Sequence, residues 1–196
     1  MNGQPEEVLN LFRSSGAYLQ GHFRLTSGLH SSAYLQCALV LQHPAAAEKL
    51  GRMLAERLRE LAPGAIALVA SPALGGVVIG HEVARALGVR FVFAERDDKR
   101  AMVFRRGFTI SPGETAVVVE DVITTGGSTA EVVQALKAAG ANVLAAGSII
   151  DRSGGRADCG VPRAALATLE VAAIDPESCP MCAAGVPVVK PGSRPT

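Results

Sequence analysis

Two adjacent carboxylates, Glu120 and Asp121, close an apolar run in VVVEDVITTGGST, residues 117–129. After Val122 and Ile123 come six small or hydroxylated residues: Thr124, Thr125, Gly126, Gly127, Ser128 and Thr129. Glycines let backbone N–H groups approach an anion closely, and hydroxyls add donors. A helix beginning there turns its positive end to the same point. Such a cup suits a phosphate monoester. The acids precede the loop and cannot be partners of the phosphate. They suit vicinal hydroxyls beside it, which donate to carboxylates. The stretch has neither the Gly-Lys-Ser/Thr of a nucleotide P-loop nor the G-x-G-x-x-G spacing of a dinucleotide site. The plain alternative is an ordinary strand end with solvated acids and a helix capped by Ser128 or Thr125. Two acids set directly after four apolar residues, with the Thr/Gly run in register, weigh against it.

The thiols and imidazoles are less specific. Cys179 and Cys182 form a CxxC pair, while Cys37 and Cys159 stand far away in sequence. A structural zinc site needs four ligands. Cys37 and Cys159 could complete one only if the fold or a dimer partner brought them near. A plain thiol pair, a metal site and redox regulation all remain open for the CxxC, the thiol pair being favoured. His22, His30, His43 and His81 show no metal-ligand spacing. They read as polar surface or loop residues, although His22 and His30 could border a ligand site.

The elements that must position these groups follow from periodicity. Residues 5–15 read as a short helix with Val8, Leu9, Leu11 and Phe12 on one face, and 18–36 as an antiparallel element with a loop at Thr26-Ser27-Gly28. Pro44 opens a stronger helix over 44–61, ended by Pro63-Gly64. From there, short apolar runs at 65–70, 89–94, 115–119, 142–150 and 164–171 read as strands. Helices ending near Leu87 and covering 128–139 separate some of them. That rhythm predicts an α/β domain with a mostly parallel five-stranded sheet flanked by helices. The expected division is an N-terminal hood over 1–62, a core over 63–175 and a tail over 176–196, its last twelve residues irregular.

The chain has 196 residues, 48% of them hydrophobic, which is enough for a sizeable core. A formal net charge of +1 gives no electrostatic reason to expect nucleic acid or a membrane surface as partner. The start, MNGQPEEVLNLFRSSG, shows neither the basic nor the apolar region of a signal peptide. The expectation is a cytoplasmic protein with reduced thiols.

VVVEDVITTGGST resembles the phosphoribosyl-pyrophosphate (PRPP) signature of type I phosphoribosyltransferases. Three further stretches resemble the orotate branch of that family: GHFRLTSGLHSSAYLQ (21–36), SPALGGVVIG (71–80) and DRSGG (151–155). The resemblance implies the type I phosphoribosyltransferase fold and transfer of ribose 5-phosphate from PRPP to orotate, giving orotidine 5-monophosphate and pyrophosphate. It implies that Glu120 and Asp121 hold the ribose hydroxyls and that the turn Val122, Ile123, Thr124, Thr125, Gly126, Gly127, Ser128 and Thr129 binds the remainder of PRPP, the 5-phosphate above all. Thr124 also touches the base, and Arg152 pairs with the orotate carboxylate, as a guanidinium fork does. Taken alone, Arg152 could equally be a surface charge paired with Asp151.

The family carries a mobile basic loop between the second and third strands. Arg96 matches its start, and Lys99 and Arg100 lie near its lysine, which reaches pyrophosphate in the neighbouring subunit of a homodimer. Taken alone, that stretch could be a solvated hairpin, and more so at Arg105 and Arg106. Mg²⁺ is implied as the cofactor, held through PRPP rather than directly by side chains. The chain departs from the family at Thr26 and Gly75, where a lysine is common, and at Asp97; no histidine lies between Glu95 and Glu114. Arg24 is a candidate replacement for the first missing cation. Regulators that keep this loop and bind nucleic acid are the competing class, but they carry a basic face or an added DNA-binding domain. Another base in place of orotate is the alternative within the family.

Overall fold

The computed structural model describes residues 4–25, 27–169 and 173–191. Helix α1 (Gln4–Ser14) buries Val8 and Phe12. Strands β1 (Tyr18–Arg24) and β2 (His30–Leu35) pair antiparallel, with an irregularity between Gln20 and Phe23. A short helix α2 (Cys37–Leu41) leads to α3 (Pro44–Leu61). In α3, Leu50, Leu54 and Leu58 recur every four residues and are all buried, which is one helical face turned inward. Then follow β3 (Leu68–Pro72), α4 (Gly76–Leu87), β4 (Arg90–Arg96), β5 (Met102–Phe104), β6 (Thr115–Ile123), α5 (Gly127–Ala138), β7 (Asn142–Asp151) and β8 (Arg163–Thr168). A 3-10 turn (Pro176–Ser178) and a single helical turn α6 (Pro180–Ala183) follow.

The sheet has six strands in the order β5-β4-β3-β6-β7-β8, parallel throughout except for β5 on the edge. Alternation along β6 divides the core between the two faces. Val117 and Val119 face α3 and α4 with Leu50, Leu54, Ile79 and Val83. Ala116 and Val118 face α5 with Val132, Val133 and Leu136. Truncating a fully buried leucine such as Leu54 to alanine in such a core costs roughly 2–5 kcal/mol.

The mostly parallel sheet is as expected, with one strand more. Strand β5 lies inside the charged stretch after β4, where three half-buried residues between arginines carry no periodic signal. Strand β6 continues past residue 119 to Ile123, because β7 is long enough to pair with it as far as Asp151. The segment after Cys182 is not wholly irregular: Val189 N–H donates to His22 O and Val189 O accepts from Arg24 N–H, both across to β1. Thr26, the end of the expected fifth strand and residues 192–196 lie outside the described residues.

Candidate active site

Strands β3 and β6 pair from Leu68↔Ala116 to Ala70↔Val118 and no further. Beyond that point β6 stays paired with β7, Glu120 opposite Ser148 and Val122 opposite Ile150. The result is a crevice at the carboxyl ends of the strands, where ligands of open α/β sheets bind. Glu120 and Asp121 therefore sit in a strand held on one side only, with the turn from β3 to α4 on the other.

That turn approaches by its backbone. A Cβ added at Gly75 would lie 2.8 Å from Asp121 Oδ1, closer than real Cβ contacts. A side chain there would make the Asp121 carboxylate shift aside. Glu120 is 8% exposed. Burial, and then the neighbouring Asp121 charge, pushes its carboxyl well above the usual carboxylate range. Asp121 Oδ1 accepts from Val122 N–H at 2.8 Å. The Cys37 thiol lies against this pair, and burial, then Asp121 and Glu120, raise its pKa well above the ordinary value. Sequence reading missed Cys37 here; it arrives on α2, and nothing in its spacing announces it.

Gly126 is the N-cap of α5, with a φ of 85° and no side-chain capping bond. A Cβ at Gly126 would meet Asp158 O at 2.9 Å. Glycine is thus required twice over, by the left-handed backbone and by the close approach. Thr125 Oγ1 accepts only a long 3.4 Å bond from Gly127 N–H. Apart from that long bond, neither Thr125 nor Ser128 caps α5 as the plain alternative would have it, and the N-terminal end of the helix is turned toward the crevice, as an anion site needs. Thr124, Thr125, Gly127 and Ser128 are exposed, whereas Thr129 is buried.

Beside this turn opens a cavity of about 470 Å³. Asp121, Val122, Thr124 and Thr125 form one wall, Arg152 another, and Leu25, Leu29 and Tyr34 of the hairpin roof it. Arg152 is tied to the site by its N–H, which donates to Ile123 O at 2.8 Å. Its Nε is buried without a hydrogen-bond partner among the described residues. Burial lowers the Arg152 pKa, an effect that Tyr34 partly opposes. Burial likewise raises the Tyr34 hydroxyl, and Arg152 opposes that shift. The pairing of Arg152 with Asp151 does not occur. Asp151 instead takes Arg163 Nη1 at 2.7 Å, Ser153 N–H at 2.7 Å and Gly155 N–H at 3.0 Å. Burial alone would raise the Asp151 carboxyl, but the bonds from Ser153 and Arg163 outweigh it and hold it low. Asp151 thus shapes the loop after β7, and Arg152 is left facing the cavity.

The basic loop is not brought to this cavity. Arg96 pairs with Glu131 at 2.7 Å, and its Nη1 donates to Arg100 O. Lys99 and Arg100 are exposed and line a separate cleft along α5. Arg106 pairs with Glu95 at 2.7 Å and lies over the Phe93 ring, 5.5 Å from its centre.

Two expectations about the histidines and thiols need correction. His22 and His30 are neither surface residues nor part of the cavity wall; they are 3% and 6% exposed. Cys37 sits by Asp121 and Cys159 by Gly126, so neither meets the CxxC. His22 and His30 meet it instead, because the hairpin places them diagonally across β1 and β2 and the C-terminal segment closes over them.

A phosphoribosyl transferase domain model matches residues 38–159. The chain is 54% identical over 189 residues to an orotate phosphoribosyltransferase of Pelotomaculum thermopropionicum, covering 96% of this chain and 97% of that one. It is 52% identical over 189 residues to the protein of the same name from Heliobacterium modesticaldum, covering 96% and 98%. Among solved structures, the orotate phosphoribosyltransferase of Aeropyrum pernix superposes with a TM-score of 0.66 at 27% identity, over 83% of this chain and 94% of that one.

Proposed function

The chain belongs to the phosphoribosyltransferase family, and from its site we infer its reaction: transfer of the 5-phosphoribosyl group from PRPP to orotate, giving orotidine 5-monophosphate and pyrophosphate, a step of pyrimidine biosynthesis. Arg152 is the observation that supports orotate most. A guanidinium whose Nε is buried without a partner costs about 1–3 kcal/mol. A carboxylate arriving in the cavity relieves that cost with a charge-assisted pair. Thr124 sits between this arginine and the phosphate cup, where it touches the base. Thr125 to Thr129 take the 5-phosphate on the N–H groups of α5. Glu120 and Asp121 accept from the ribose hydroxyls.

During transfer the C1–oxygen bond breaks, its electron pair leaves with pyrophosphate, and orotate N1 bonds to C1 as its proton is given up. The ribosyl centre becomes cationic as the bond breaks. Two carboxylates beneath the ring favour that charge, and the cup and Arg152 hold the reactants in line. Mg²⁺ fits this donor set: a hard cation takes oxygen ligands, and the acid pair places negative charge where pyrophosphate and ribose oxygens meet. Held through PRPP, the ion would neutralise charge on the leaving group.

Lys99 and Arg100, turned from their own cavity, serve pyrophosphate in the site of a partner subunit, with Arg96 anchoring the loop. The exposed Leu74 (83%) and Val78 (45%) beside the crevice supply apolar surface for such a homodimer. Hairpin β1–β2 forms the lid part of the hood over 1–62, the core runs over 63–175, and the tail over 176–196 braces the hood. No described helix is long and apolar enough to cross a membrane, and the enzyme works in the cytoplasm.

The test is pyrophosphate release from PRPP and Mg²⁺ with orotate, adenine, uracil or xanthine supplied singly. Release with orotate alone is expected. Release with adenine, uracil or xanthine but not orotate would overturn the assignment.

A further inference from the structure

The imidazoles of His22 and His30 and the thiols of Cys179 and Cys182 turn one ligand atom each toward a common point, all within 4.8 Å of one another. We propose that these four side chains form a closed, structural zinc site that fastens the β1–β2 hairpin to the C-terminal segment.

The three N···S distances are those of a tetrahedron's edges. Zn–N bonds of about 2.0–2.1 Å and Zn–S bonds of about 2.3 Å place neighbouring N and S ligands about 3.6 Å apart. His22 Nε2 lies 3.5 Å from Cys179 Sγ and 3.7 Å from Cys182 Sγ. His30 Nδ1 lies 3.3 Å from Cys182 Sγ. The two imidazole nitrogens, 2.8 Å apart, separate slightly to take the ion.

The surroundings also fit. His22 Nδ1 faces Val186 O at 2.7 Å, so it carries the proton and leaves the Nε2 lone pair directed into the cluster. That second contact is the usual means of fixing a metal-binding tautomer. His22, His30 and Cys179 are buried, and only Cys182 reaches the surface. Two sulfurs and two imidazole nitrogens favour zinc and offer nothing to a hard cation such as Mg²⁺. Four protein ligands leave no open position, which makes the site structural rather than catalytic.

The backbone brackets the cluster on both sides. His30 and Ile174 exchange two N–H···O bonds of 2.8 Å, and His22 O accepts from Val189 N–H at 2.8 Å. The segment carrying Cys179 and Cys182 is therefore held against the hairpin at either end, with the ion as the centre of the joint. The same hairpin supplies Leu25, Leu29 and Tyr34 to the roof above Arg152. Zinc thus sets the position of that roof from outside the cavity.

Metal analysis of the full chain, purified under reducing conditions without a metal-binding tag, tests this independently of any reaction. About one zinc per chain is expected, falling below about a tenth in Cys182→Ser. Cys182 is chosen because it lies at the exposed rim and burdens folding least. If that variant does not fold, wild-type protein stripped with a chelator and refilled with Co²⁺ gives the second readout: the visible bands and thiolate charge-transfer of tetrahedral cobalt. Wild-type protein that holds no zinc and takes none up with its thiols reduced would overturn the proposal, as would a Cys179–Cys182 disulfide in the native protein. Failure of the orotate assay would leave the metal count untouched.

Discussion

Thr124 to Thr129 occupies six successive positions on one βα turn, whereas His22, His30, Cys179 and Cys182 come from the two ends of the chain. The parallel pairing of β6 with β7 fixes the strand that leads into the turn as far as Ile123, and the site works against stability. Glu120 is buried beside another carboxylate, and Arg152 Nε lacks a partner. In the His–Cys cluster the side chains themselves join two pieces of chain that a bulged hairpin and a single-turn helix would hold weakly. On the proposed function the first region gives up stability for binding, and on the proposed zinc site the second supplies it. Substitutions should therefore separate activity from stability in opposite directions.

The largest effect is expected at Asp121. Asp121→Asn should lower turnover by a factor on the order of 10²–10³, the scale for losing a group matched to transition-state charge. Its midpoint of thermal unfolding should stay near that of the parent. Steady-state kinetics beside a thermal melt reads both, and near-normal turnover would remove the proposed role. Next is Arg152→Met, which keeps much of the side-chain volume. Losing a charge-assisted pair of about 1.5–3 kcal/mol should cut kcat/KM for orotate by roughly 10- to 150-fold and leave the KM for PRPP in place. An equal loss toward both substrates would place Arg152 outside the base site.

Stripping zinc should act differently: the unfolding midpoint falls and the KM for orotate rises as the roof loosens, while PRPP affinity, measured by titration, holds. A fall in PRPP affinity with orotate unaffected would break the contrast between the regions. The smallest effect is at Glu120. Its raised pKa means that the folded state binds more protons than the unfolded one as pH rises above the usual carboxylate range, so the wild type loses stability there. Glu120→Gln should thus be more stable than the parent at neutral pH, with the advantage shrinking as pH falls below that range. Denaturant melts at both pH values check the sign. A less stable variant at neutral pH would show that the carboxylate is not destabilising where it sits.

The same contrast explains what could be read from the sequence. Strand, acids, turn and helix follow one another along the chain, so local pattern sufficed to place the acids and the glycine-rich turn beside them. The alternation of strands with helices similarly disclosed the parallel sheet. Arg152 could be named only through resemblance, since its separation from Asp151 depends on Arg163 reaching back from β8. Strand β5 escaped because three residues among arginines are shorter than any hydrophobic period. Gly75 stands where the family commonly has a lysine, and its place against the Asp121 carboxylate shows only in the fold. Furthest from view was the partnership of the hairpin histidines with the CxxC. It needs the bulge in β1, the diagonal register of β1 with β2 and the return of the C-terminal segment, none of which has a local signature.

On the proposed function one turn reads PRPP in order, with phosphate on the cup, hydroxyls on the acids and base toward Arg152. A crystal structure of the enzyme with orotidine 5-monophosphate tests it most directly. The phosphate is expected on the N–H groups of Thr125 to Thr129, the ribose hydroxyls within hydrogen-bond distance of Glu120 and Asp121, and the base carboxylate on Arg152. A phosphate bound elsewhere, or a base carboxylate turned away from Arg152, would contradict it.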